Sequence, residues 1–323
     1  MSVHRLRIGE LDLASPFILA PLEGVSDCAF RRLCHQLGAA FTWTEMVRAS
    51  GIVRGNSATE DLIDTFDPET PTGVQLFCTN ERELEEALTI IEQQSGTSHP
   101  HWRNIRAIDL NFGCPSPELI RIGAGPALIK RSAKMRAILT TLHTWKAQTS
   151  LDIKAVGLKI RLGLNEREAG FGIALRVIDA ADGLADYLVV HARHARQRST
   201  DAADWQAIRA MKEKSSLKAN IPIIGNGDAL TAQGARQMMQ ETGCDGVLIA
   251  RGAIANPWIF RELSETGSAN ATDEEIEAAL IQYRADAKRF NAKTKYTLFH
   301  EQNFARLRSG KGDPRLPRTE HLN

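Results

Sequence analysis

The 323-residue sequence has no apolar stretch approaching the roughly 20 residues that a membrane-spanning helix needs, so a soluble protein is expected. Its first residues, MSVHRLRIGELDLASPFILAP, lack an apolar block of signal-peptide length ending at a small-residue cleavage site, which points to the cytoplasm. The five cysteines, Cys28, Cys34, Cys78, Cys114 and Cys244, are odd in number, scattered and without a CxxC pair. That pattern argues against a disulfide framework and a structural zinc site, and no metal is expected. A G-x-G-x-x-G fingerprint behind a strand is also absent, because Gly123-Ala124-Gly125 is too short and misplaced. A nicotinamide bound on a Rossmann fold is therefore disfavoured. With 40 basic and 39 acidic residues the net charge of +1 carries no message about nucleic acid, since local patches average away. No repeat of 20 to 50 residues stands out beyond an alternation of strand and helix.

That alternation organises the chain. Short apolar runs stopped by polar or glycine-rich punctuation occur at 17–24, 41–47, 73–77, 107–113, 155–163, 187–193, 221–227 and 246–252. Between most of them lie segments with helical spacing, such as ERELEEALTIIEQQ, RSAKMRAILTTLHTW and GARQMMQETG. Eight strands alternating with helices suit a parallel sheet buried on both faces, and the number suggests an α/β fold of the TIM (β/α)8-barrel type. A doubly wound open sheet is the competing architecture. The barrel is favoured because nearly every run ends in a polar side chain, in order Glu23, Glu45, Gln75, Asn111, Lys159, His191, Asn226 and Arg251, and a barrel gathers strand ends at one mouth. Residues 1–262 are assigned to the barrel and 263–323 to a small C-terminal helical domain. There, Thr272 and Glu275 form a capping-box pattern, and a second helical segment should end at Gly310. The polar, proline-broken stretch 313–323 reads as a loose tail.

Several strand ends carry chemistry. Gly225-Asn226-Gly227-Asp228 and Ala250-Arg251-Gly252 have glycines that let backbone N–H groups approach an anion, at a place where barrels commonly hold phosphate. Tight turns alone would explain either loop, but the two together with Arg251 favour a phosphate-bearing ligand. Lys159 interrupts an apolar run, where an unpaired ammonium is costly, so it should face an anion at the mouth unless it snorkels to solvent or pairs with a carboxylate. A reduced flavin, negative around N1 and O2, is such an anion. Gln75 and Asn111 have the donors and acceptors for a ring edge, or for tying loops together. His191 suits phosphate, substrate or a structural role. Cys114, within Asn111-Phe112-Gly113-Cys114-Pro115, is the one cysteine at a catalytic strand end. A free cysteine is more often buried filler, but a mostly protonated thiol here can serve as a general acid.

Taken together, APLEGVSDCAFRRL near the start, TEMV, GVQLF, DLNFGCPSPELIRIGAGPALIK at 109–130, GLKIRLG, VHARHARQ, ADW, IIGNGD and DGVLIARGAIANPWIF at 245–260 resemble the tRNA-dihydrouridine synthases. The resemblance covers about residues 15 to 262, departing from the family pattern at Pro126, Ala192 and Ser199. It implies an enzyme in which FMN is reduced by NADPH and hydride then passes from flavin N5 to C6 of a tRNA uridine, with Cys114 protonating C5. By position, Ala20, Pro21 and Gln75 would touch the flavin ring. Lys159 would lie near N1 and O2, Asn111 would face flavin or substrate, and His191 would sit at the flavin. Asn226, Gly227, Asp228, Arg251 and Gly252 would surround the phosphate. The uridine must leave the tRNA stack to reach the ring, so a basic rim is expected, and Arg193, Arg196 and Arg198 supply one after the sixth strand. From Lys288 onward, nine Lys and Arg against three Asp and Glu offer a second RNA-facing segment, or a solvated basic tail. The expected partners are tRNA and NADPH, with no membrane and a monomer favoured. Two alternatives remain: a flavin barrel acting on a free pyrimidine or another small unsaturated molecule, and a non-catalytic RNA-binding relative.

Overall fold

A computed structural model of the chain describes residues 5–264 and 270–310. An antiparallel hairpin, β1 (Leu6–Ile8) and β2 (Leu11–Leu13), precedes eight parallel strands. These are β3 (Phe17–Leu19), β4 (Thr42–Arg48), β5 (Thr72–Phe77), β6 (Ile105–Phe112), β7 (Ala155–Arg161), β8 (Tyr187–His191), β9 (Ile223–Asn226) and β10 (Gly246–Ile249). Each falls within or beside an apolar run read from the sequence. The sheet order is β3-β10-β9-β8-β7-β6-β5-β4, every neighbouring pair parallel. Leu19 N–H donates to Phe41 C=O at 3.0 Å and Ala40 N–H to Phe17 C=O at 3.0 Å, joining the two ends of the sheet. The result is a (β/α)8 barrel, and the open doubly wound sheet is set aside.

Most of the predicted helices form where spacing and caps place them. Asn80 caps Glu81–Ser95, and Thr231 caps Ala232–Thr242, which ends at Gly243 in the left-handed region with φ 69°. The barrel has two cores. One lies between strands and helices; the other fills the barrel and includes Ile18, Phe41, Trp43, Tyr187, Val189, Ile224 and Leu248. Leu6, Ile8 and Leu13 of the hairpin belong to this inner core, so the hairpin plugs the barrel floor. Its three-residue strands are too short to announce themselves by periodicity. Two glycines make room for the large interior rings: a Cβ on Gly73 would stand 2.1 Å from the Trp43 ring, and one on Gly157 would stand 2.5 Å from that of Tyr187.

The C-terminal helices Asp273–Arg289 and Thr294–Arg308 both form, the first opening on the anticipated Thr272/Glu275 capping box. Their buried Ile276, Tyr283, Phe299 and Phe304 join the same hydrophobic cluster as the barrel helix Cys28–Gln36. Tyr283 Oη donates to Asp27 Oδ2 at 3.2 Å, His300 Nε2 donates to the Val25 carbonyl at 2.8 Å, and the His300 ring stacks on Phe30. The tail expected over 313–323 lies outside the described residues. Among the described residues, no helix is long and apolar enough to cross a membrane.

Candidate active site

The polar strand ends converge on the carboxyl mouth in two connected groups. The first is a cradle of about 190 Å³ whose lining includes Arg161, His191, Arg193, Asn226, Gly227, Asp228 and Arg251. Asn226 ends β9, and its Nδ2 donates to the Leu248 carbonyl at 2.8 Å, which fixes the amide. Gly227 follows with φ 119°, a conformation glycine favours, and a Cβ there would press within 3.3 Å of the His191 ring. Asp228 accepts from Arg193 Nη2 at 2.7 Å and from Arg251 Nη2 at 2.8 Å. Three guanidiniums against one carboxylate leave an excess of two positive charges in the cradle, given a neutral imidazole. His191 is held well below its usual pKa by burial and then by the charges of Arg161, Lys159, Arg193 and Arg251. Burial, with help from Arg193, likewise pulls Arg161 down to about 10. Burial beside like charges disfavours these cationic forms, so an anion entering the cradle would relieve them. Gly252 is absent from the lining and packs behind it, where a Cβ would stand 2.9 Å from the carbonyls of Ala229 and Leu230.

The second group lies on the central strands. Asn111, at the end of β6, accepts at Oδ1 from the backbone N–H groups of Gly113 (3.0 Å) and Cys114 (2.9 Å). Its Nδ2 donates to Gln75 Oε1 at 2.8 Å, and Gln75 Nε2 donates to Asp109 Oδ2 at 2.7 Å. Lys159 is the register partner of Asn111 on β7, partly buried. Burial, with the charge of Arg161, lowers it to about 8. Its ammonium has neither a hydrogen bond nor an ion pair to another described side chain, which leaves donors for a ligand.

Cys114 stands partly exposed, whereas Cys28, Cys34, Cys78 and Cys244 are buried. Burial raises its thiol above the ordinary value, and nearby Glu23 adds to this against the opposing pull of Arg161 and Arg48. The thiol is therefore protonated at neutral pH. Gly125, with φ 56°, brings its Cα against the Cys114 carbonyl, where a Cβ would approach to 3.0 Å. Pro126 opens the short 3-10 turn Gly125–Leu128, a place that suits its fixed φ.

Ala20 is buried, its N–H donating to the Ile249 carbonyl at 2.9 Å, and Pro21 beside it is partly buried. Arg196 and Arg198 are exposed. Arg193 corrects the expectation of a three-arginine rim: its side chain is 3% exposed and turns inward to Asp228 and the Asp201 carbonyl, leaving it no surface for RNA. Arg161 was not singled out from the sequence, although it alternates with Lys159 along one strand. It joins the two groups, lining the cradle while Nε donates to the Gly113 carbonyl at 2.9 Å. Asp109 and Tyr187 were also missed, and only their spacing from Asn111 and His191 hinted at them.

Fold and site together define a (β/α)8 barrel with an anion cradle beside one accessible, protonated thiol. Comparison with known proteins makes the assignment specific. A family model described as dihydrouridine synthase matches residues 18–310, and the chain belongs to that family. The match runs through both C-terminal helices, well beyond the barrel. A probable tRNA-dihydrouridine synthase of Mycobacterium tuberculosis is 36% identical over 273 residues, covering 81% of this chain and 66% of the relative. The chain thus spans just under two thirds of that relative's length. A Coprinopsis cinerea protein named tRNA-dihydrouridine(47) synthase [NAD(P)(+)] is 30% identical, with 79% of this chain and 37% of that protein covered. Among solved structures, histamine dehydrogenase from Rhizobium sp. 4-9 superposes with a TM-score of 0.56 at 13% identity, over 88% of this chain and 50% of that one, a likeness of fold alone.

Proposed function

We propose that this chain reduces the C5–C6 double bond of a uridine in tRNA to dihydrouridine, using FMN held at the barrel mouth and NADPH as reductant. The observation that carries the reading is the protonated Cys114 thiol, held by Asn111 beside a lysine with free donors and a doubly positive cradle. The residues present suit the cofactor. The cradle matches a phosphate and its attachment in volume and charge, with Arg161, His191, Asn226, Gly227 and Arg251 around it. The flat ring would rest over Gln75, Asn111 and Lys159, against Ala20 and Pro21. Bound there, FMN supplies hydride for uracil C6. Cys114 supplies the proton for C5, and its raised pKa keeps that proton available. Lys159 offers an ammonium to negative charge on the ring edge.

Residues 1–262 would carry the chemistry and 263–323 would contact tRNA, with Arg196 and Arg198 on the opposite rim. The NAD(P)-linked name of the fungal relative agrees with a nicotinamide reductant. Mapping dihydrouridine in tRNA from cells with and without the gene tests the reading. One tRNA position should lose the modification in the deletion strain, and an unchanged dihydrouridine profile would refute it.

A further inference from the structure

The inner wall of the barrel carries a row of polar groups that reaches the thiol loop without touching the ligand cradle. Strand register sets Gln75 of β5 opposite Asp109 of β6, Asp109 opposite Gly157 of β7, and Gly157 opposite Tyr187 of β8. Because Gly157 has no side chain, the Tyr187 ring lies across the gap and its Oη donates to Asp109 Oδ1 at 3.1 Å. The other carboxylate oxygen accepts from Gln75 Nε2 at 2.7 Å. Asp109 is 2% exposed, and so is Gln75, so neither can exchange its partner for bulk water.

Direction along this row follows from the chemistry of its ends. Asp109 accepts at both oxygens, from Tyr187 Oη and from Gln75 Nε2, so the Gln75 amide turns its NH2 inward and its oxygen toward the mouth. That oxygen takes a hydrogen from Asn111 Nδ2 at 2.8 Å, which turns Asn111 Oδ1 outward to the N–H groups of Gly113 and Cys114. Two side-chain amides, each able to flip when alone, are thereby locked in one sense. The loop's other ties, Arg161 Nε to the Gly113 carbonyl and the Ser116 N–H to the Cys114 thiol, do not hold the Cys114 N–H.

We propose that Asp109 is a positioning residue for the thiol: by anchoring the Gln75 and Asn111 amides in one orientation from inside the barrel, it holds the Gly113–Cys114 loop at the mouth. The inference deepens the reading of Cys114 as proton donor and rests on it for its importance, but not for its test. Removing the acceptor leaves the Gln75 amide buried and unsatisfied, which drives the amide to another rotamer and releases the loop. Asparagine at 109 has nearly the same shape and keeps an oxygen for Gln75 while presenting NH2 to the Tyr187 oxygen. It therefore preserves orientation while removing charge.

The test is the rate at which iodoacetamide alkylates Cys114 in the purified full chain, followed by peptide mass mapping from pH 6 to 10, without NADPH or tRNA. The other four cysteines are buried and serve as internal controls. D109L should release the loop and speed Cys114 alkylation by about fivefold or more at neutral pH, since a better solvated thiol forms thiolate more readily. D109N should stay within about twofold of the parent across the pH range. Q75M, which breaks the row one step later, should match D109L and decides the matter by itself if the leucine variant does not fold. An unchanged rate in D109L or Q75M, or equal acceleration in D109N and D109L, would overturn the proposal, the latter by showing that charge rather than orientation matters. Loss of dihydrouridine synthesis is not among these readouts, so a wrong assignment of the reaction would leave the result interpretable.

Discussion

Replacing Asp109 by asparagine should make the ligand-free protein more stable than the parent at pH 7.5, and the gain should shrink toward pH 5. Burial raises this carboxyl from its ordinary 3.8 to about 7, against the lowering effects of the Gln75 hydrogen bond, the Lys159 charge and the Tyr187 hydroxyl. The sign follows from proton linkage. An acid whose folded pKa lies above its unfolded one is penalised as pH rises, because the unfolded chain releases the proton first. The penalty begins near 3.8, grows by about 1.4 kcal/mol per pH unit, and levels off above 7, reaching about 4 kcal/mol. Asparagine has no proton to lose and escapes it. Against that gain stand Lys159, whose ammonium loses an anionic neighbour, and the buried Tyr187 hydroxyl, which loses its acceptor; both offsets vary little with pH while the lysine stays charged below about 8. The difference between variant and parent should therefore grow by about 2 kcal/mol between pH 5 and pH 7.5. Urea midpoints and slopes for both proteins at several pH values measure it. A pH-independent difference, or a parent that gains on the variant as pH rises, would refute the reasoning, since the latter is how a carboxylate stabilised mainly by Lys159 would behave.

Three further outcomes follow from the site. C114A should bind flavin and accept electrons from NADPH at parental rates yet form no dihydrouridine; product formation at the parental rate would remove the proton-donor role. K159A forfeits a charge-assisted contact of about 1.5–3 kcal/mol, so FMN affinity should fall roughly ten- to hundredfold, and an unaltered titration together with unaltered reduction kinetics would contradict the contact. The double variant R196S/R198S removes two exposed charges, so the slope of log affinity for tRNA against log salt should become shallower by about one to two, and an unchanged slope would place the RNA elsewhere.

How far the sequence could be read depended on the range over which each feature acts. All eight barrel strands were legible because a parallel strand buried on both faces must be apolar along its length, and polar residues then mark its end. The Thr272/Glu275 cap and the Gly310 stop were legible because capping is local. The β1–β2 hairpin was not, since its three-residue strands are defined by packing into a barrel floor that exists only after the ring closes. Arg193 shows the same limit at the site. Neighbouring arginines at 196 and 198 suggested one rim, but Asp228, reached only through the fold, draws Arg193 inward. Asp109 was hidden for a related reason: its partners Gln75 and Tyr187 come from other strands, and the gap they share is opened by Gly157. Cys114 could be singled out from the sequence because its context is local, with Asn111 three residues before it and a glycine and proline on either side.

The strand order also bears on where the tRNA of the proposed reaction would lie. Around the ring, β6 with the Cys114 loop stands two strands from β8, whose following loop carries exposed Arg196 and Arg198, and two strands from β4 on the other side. Midway along β4, Glu45 accepts from Gly24 N–H at 2.9 Å and from Tyr296, the buried tyrosine in the first turn of the last helix. That bond brings the start of the helix toward the mouth, and with it exposed Lys295 and exposed Lys293, the latter 3.4 Å from Asp61 Oδ2. Because Tyr283, His300 and Phe304 are packed into the barrel's own core, this second basic edge is held rather than tethered. Under the proposed function, the exposed arginines on one side of β6 and the exposed lysines on the other would face tRNA phosphates while one base descends between them. In the proposed reaction the base that descends meets the thiol loop, which is why the orientation of that loop, and the buried carboxylate that sets it, matters to the chemistry.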